Sequence, residues 1–146
     1  MVDLLVVVML IGAIASFVLT SFGKAQRSLR LTNVTQEFTA HLKQAQVDSK
    51  KLHATTAAQM AQITILNDRY YMVVRDTNDD GKLDPPTVVG LEDRHVRMNG
   101  PFPRTVMFDW LGRAVDADQK VLPSPSVTFT SEAGKITIAL ADTTTK

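Results

Sequence analysis

The stretch with the clearest capacity for chemistry is Asp76-Thr77-Asn78-Asp79-Asp80-Gly81-Lys82-Leu83-Asp84. Side-chain oxygens alternate at Asp76, Asn78 and Asp80, and Gly81 follows. That is the opening of a calcium loop, in which alternate oxygens turn inward on a hard cation and the glycine allows a sharp turn. Asp84 falls where such a loop places a ligand that acts directly or through water. Every candidate ligand is an oxygen, so the metal expected here is Ca²⁺. The last position of the pattern, which should supply a bidentate Glu, is Thr87. Asp, Asn and Gly are also what ordinary turns between strands use. The competing expectation is therefore a metal-free turn in a protein with no cofactor.

Other reactive constellations are absent from the sequence. There is no Cys, which excludes disulfides, thiol catalysis and Cys-based zinc or iron sites. His41, His53 and His95 show no ligand spacing. No nucleophile elbow, His-Glu-x-x-His or glycine-rich phosphate loop is present. Asp109 beside Trp110 invites a raised-pKa acid, but a core aromatic beside a turn acid is the commoner arrangement. The expectation is that the protein is not an enzyme. A net charge of +1 gives no global electrostatic case for nucleic acid. The local candidates for DNA contact are Arg94, Arg97, Arg104 and Arg113. They are interleaved with acids and few aromatics, as on an ordinary solvated surface.

The elements that must position these residues begin with an apolar run. From Leu4 to Leu19 the breaks are Gly12 and Ser16, with no Pro, and Asp3 stands just ahead. A run of this length is near the ~17–25 residues that cross a bilayer as a helix. It is too long for a strand and lacks the polar stripe of a soluble core helix. A cleaved signal peptide would need a basic segment ahead of the run, and none is there. Lys24, Arg27 and Arg30 then form a basic collar suited to snorkelling at headgroups. The positive-inside rule taken alone would place that collar in the cytoplasm. Leu31, Val34, Phe38, Leu42, Ala45 and Leu52 step by threes and fours, with Ser49 in the one gap. No Pro or Gly interrupts between Lys24 and Thr55. We expect one helix from about Val2 to about Ala54, roughly 80 Å long. Residues 1–23 form its hydrophobic transmembrane or assembly part, and residues 24–55 its amphipathic part. Gly12 and Gly23 are its weak points, since Gly costs ~1 kcal/mol against Ala in a helix.

Residues 56–146 are expected to form a β-rich head. Ile63 and Ile65 alternate with Gln62 and Thr64, Asn67-Asp68 signals a turn, and Tyr70–Val74 makes the second strand of a hairpin. Later candidates are Val88–Leu91, His95–Met98, Val106–Trp110, Val127–Thr130 and Ile136–Ala141. The last two are joined by a short Gly-containing loop at 131–134. The fold class expected is α+β: a long N-terminal helix packed on an antiparallel sheet head.

An acid followed by Leu4-Leu5-Val6-Val7-Val8 and an apolar run with Gly12 resembles the N-terminus of type IV pilins and type II secretion pseudopilins. Asp76, Asn78, Asp80, Gly81, Asp84 and Pro85, then Phe108, Asp109, Gly112 and Arg113, are similar to the heads of their GspH/FimT group. The family usually has Glu where this chain has Asp3, and two residues, often Phe-Thr, before the apolar pair that Met1 and Val2 would match. The resemblance implies a filament subunit with a pair of sheets against the helix. It implies storage in the bacterial inner membrane, then export into a periplasmic or extracellular filament of like subunits. A prepilin peptidase would remove any leader, and the new N-terminus would be methylated. Asp3 would pair with a neighbouring chain's terminal amine, and Gly12 is where the protruding helix would lose helicity on assembly. Some members of the group bind DNA through basic patches. Two alternatives stand beside this reading: a DNA-uptake minor pilin acting through its head arginines, and a membrane-anchored Ca²⁺-binding module that does not polymerise.

Overall fold

The computed structural model describes residues 2–123 and 125–140, the side chains of 2–5, 14, 15 and 17–21 excepted. One helix, α1 (Val2–Lys51), runs for 50 residues, about 75 Å at 1.5 Å per residue. It stops a little short of the expected end because the chain closes it off. His53 is left-handed at φ 47°. The Ala54 N–H donates to the Ser49 carbonyl at 3.1 Å, and the His53 N–H to that of Lys50 at 3.2 Å. These two bonds satisfy carbonyls that a helix end leaves orphaned, and Lys50 and Lys51 in the last turn suit its dipole.

The sequence stripe becomes the buried face of this helix. Leu31, Val34, Phe38, Leu42 and Ala45 lie in the main core, whereas Leu52 falls beyond the helix and is half-buried. Ser49, the polar gap in the stripe, is fully buried. Its Oγ accepts the Ala61 N–H at 2.9 Å, so the gap ties the helix to the chain entering the first strand. At the other end, Val6 to Ile11 are exposed, from 51% to 71%. Among the described residues no helix is long and apolar enough to cross a membrane. Much of the span expected over residues 1–23 lies outside the described side chains.

Eight strands follow: β1 (Gln62–Ile65), β2 (Tyr70–Val74), β3 (Thr87–Gly90), β4 (Arg97–Asn99), β5 (Arg104–Phe108), β6 (Ala114–Val115), β7 (Ser126–Ser131) and β8 (Gly134–Ala139). They form two antiparallel sheets, ordered β3-β2-β1-β5-β6 and β4-β7-β8. The β1–β2 hairpin turns on Asn67, whose Oδ1 accepts the N–H groups of Arg69 and Tyr70. The β7–β8 hairpin pairs Ser131 with Gly134. The two-residue β6 was not expected, being too short to show alternation.

Phe38 joins the three layers. Its ring centroid lies 5.1 Å from that of Tyr71 on β2 and 5.1 Å from that of Phe129 on β7, both edge-on. All three rings are almost wholly buried. The helix therefore seals both sheets at once, and its packed half and the head share one hydrophobic cluster. The architecture is α+β, with a long N-terminal helix packed on antiparallel sheet.

Candidate functional site

The acidic loop between β2 and β3 is closed by its own backbone. Asp76 accepts the N–H groups of Asp80 at 3.2 Å and Gly81 at 2.9 Å. Asn78 Oδ1 also accepts the Asp80 N–H, at 3.2 Å. Asp80 accepts the Lys82 N–H at 2.9 Å and the Asn78 amide at 3.1 Å. Asp84 accepts the Thr77 N–H at 2.6 Å and the Thr77 hydroxyl. Those two Thr77 donors hold the Asp84 carboxyl below the usual carboxylate range. Asp79 takes the left-handed conformation at φ 62° and Gly81 follows at φ 83°. The side-chain oxygens at Asp76, Asn78, Asp80 and Asp84 thus cap backbone donors, the use that turns make of Asx residues. Among the described residues no group of three or more His, Asp or Glu side chains is placed to hold a metal ion. Lys51 Nζ lies 2.9 Å from Asp79 Oδ1, which pins the loop to the C-terminal end of α1.

Each head arginine already has a partner within the chain. Arg94 pairs with Glu37 of α1, and Arg97 lies 3.8 Å from Asp68. Arg104 donates to the Ser126 carbonyl at 3.1 Å. Arg113 donates to Asp109 Oδ2 at 2.7 Å. They come from different elements of the head.

The Phe-Asp-x-x-Gly-Arg segment proves to be a docking turn. Asp109 is buried and its Oδ1 accepts the Leu111 N–H at 3.0 Å and the Arg113 N–H at 2.8 Å. Gly112 has φ 77°, and its carbonyl accepts Gln46 Nε2 at 2.6 Å. A Cβ at Gly112 would lie 2.2 Å from Lys50 Cε. The left-handed backbone favours glycine here, and any side chain would also have to displace the end of Lys50. Trp110, beside the turn, is half-exposed, so Asp109 does not owe its burial to a core tryptophan.

Two features escaped the sequence reading. The first is a pair of buried polar atoms on α1, His41 Nδ1 and Asp48 Oδ2, that have no hydrogen-bond partner. Burial, and then Arg75, push the His41 imidazole pKa down against the pull of Glu37. Burial pushes the Asp48 carboxyl up, opposed by Arg75, Lys51 and a hydrogen bond from the Asp76 backbone and helped by the Asp76 charge. The second is a cleft of about 260 Å³ at the neck, lined by Arg27, Arg30, Arg94, His95, Ser131 and Glu132. Arg27 pairs with Glu132 across it, while Arg30 forms no ion pair among the described residues. A sequence signal for it existed: Arg27 and Arg30 stand one turn before Leu31 and Val34, on the side of the helix that meets the head.

Asp3 lies outside the described side chains, so its pairing is not on view. Gly12 sits in unbroken α1, where an added Cβ would meet nothing within 4 Å, and its carbonyl accepts the Ser16 hydroxyl at 2.8 Å. No protein-family model matches the sequence, and neither a curated protein nor a solved structure matches it significantly.

Proposed function

We propose that this protein is a non-enzymatic structural subunit of a type IV pilus-like filament or type II secretion pseudopilus, related to the GspH/FimT group. The observation that carries the reading is the division of α1. Its second half is sealed into the head, while Val6 to Ile11 stand in the open. Apolar surface of that extent needs a cover, at ~25 cal/mol for each Å² removed from water. In this reading the cover is the bacterial inner membrane before assembly and the helices of other copies afterwards. Packing of helix on helix then replaces contact with lipid. Asp3 sets the register by pairing with the terminal amine of a neighbouring chain. An unpaired carboxylate inside such a bundle would be strongly disfavoured, so pairing checks each addition. A prepilin peptidase is the expected processing partner of any leader.

The test is filament yield in the native host. Asp3→Ala should abolish or sharply reduce the protein recovered by shearing cells, with the head still folded by circular dichroism. Intact mass of the sheared wild-type protein should show a methylated N-terminus. Wild-type protein confined to the membrane fraction would refute the filament, and so would a normal yield from Asp3→Ala.

A further inference from the structure

The packed part of α1 starts in a basic segment and ends beside an acidic loop, which lies against its last-turn lysines. Residues 23–36 contain Lys24, Arg27 and Arg30 and no acid, whereas residues 76–84 contain four Asp and one Lys. The Lys51–Asp79 pair fixes the acidic loop at the far end of α1. The basic cleft lies at the neck, on Arg27 and Arg30. Arg30 to Lys51 is 21 residues, about 32 Å along the helix. Thr77 to Lys82 are exposed, so the loop projects from the head. Its Asp80 accepts only neutral donors, the Lys82 N–H and the Asn78 amide. Like Arg30, it has no ion-pair partner among the described residues.

We propose that the neck cleft at Arg27, Arg30 and Arg94 receives the Asp79-Asp80 tip of the acidic loop from a second copy of this chain. This inference rests on the filament reading and names the contact between heads within it. The copies lie parallel, displaced by about 32 Å along the helix axis. Cleft and loop are different surfaces, so the contact is heterologous. Each addition leaves one cleft and one loop free, and growth is open-ended. The charges steer encounter and fix the displacement. Arg27 and Arg94 are held in place by Glu132 and Glu37, which leaves Arg30 as the uncommitted cation.

Because the chain has no Cys, a cysteine pair reports this contact without background. Full-length Arg30→Cys/Asp80→Cys protein is oxidised with copper phenanthroline, both in membranes and in sheared filaments. A ladder of cross-linked species from the double variant, with neither single variant cross-linking, is expected. Dimers from either single variant would overturn the proposal, since the surface would then meet itself. Filaments that form without any ladder would also overturn it, while leaving the filament reading intact. If no filaments form, that reading fails, and the membrane sample still decides the head contact by the same ladder. In the Cys-free chain, Arg30→Glu should lower sheared yield severalfold, and adding Asp80→Lys should restore it. Both residues are exposed, so folding is not the variable. Unchanged yield from Arg30→Glu would refute the contact.

Discussion

Ser49→Ala removes one oxygen atom and should cost far more than its size suggests. Ser49 is fully buried, and so is Ala61, whose N–H it accepts at 2.9 Å. Without the hydroxyl, that N–H has no protein acceptor and no route to solvent. Leaving a buried donor unpaired costs ~1–3 kcal/mol. For a chain of this size each kcal/mol shifts Tm by ~2–4 °C. A loss of about 2 kcal/mol therefore predicts a Tm lower by about 4–8 °C. The assay is thermal unfolding of the full chain in mild detergent, followed by near-UV circular dichroism. Amide exchange supplies the local readout: the Ala61 N–H should exchange faster, while the β7–β8 ladder keeps its protection relative to global stability. A Tm within about 1 °C of wild type, well under the loss of one such bond, would refute the assigned role.

Phe38→Ala should cost about 3–5 kcal/mol, the range for a fully buried Phe, and should loosen both sheets because the ring touches Tyr71 and Phe129. Urea unfolding monitored by Trp110 fluorescence checks it, and a loss under about 1.5 kcal/mol would contradict the keystone role. Asp109→Ala should destabilise the docking turn by about 2–3 kcal/mol, and Asp109→Asn by less, since Asn keeps an oxygen for the Leu111 and Arg113 N–H groups. Equal losses in the two variants would show that the Arg113 ion pair, not the turn, carries the effect. Asp48 gives a pH prediction. Its folded pKa is raised, mainly by burial. Its contribution is therefore present below the unfolded carboxylate value and lost as pH rises through the folded one. Asp48→Asn should gain stability over wild type at pH 7 and gain less, or nothing, near pH 4. An identical Tm difference at both pH values would exclude this linkage.

Local pattern carried much of this protein. The 3.6-residue stripe from Leu31 to Ala45 sets which helix face is buried, because side chains three and four apart share a face whatever the helix meets. Alternation in Gln62–Ile65 and Tyr70–Val74 marks strands for the same reason at a period of two. Even the polar interruption at Ser49 was visible, though not its partner. The roles of the charged residues were not legible. Asp76, Asn78, Asp80 and Asp84 have the spacing of cation ligands, yet spacing does not reveal that their oxygens meet backbone N–H groups of the same loop. Arg94 and Glu37 are far apart in sequence, as are Arg27 and Glu132, and their pairing follows from how the head is laid against α1. The division into two sheets, with Phe38 between Tyr71 and Phe129, was likewise settled by long-range packing. Periodicity is a property of neighbours along the chain, so the sequence alone determined the elements and their buried faces. Electrostatic pairing and sheet order depend on distances through space, and those existed only once the chain had folded.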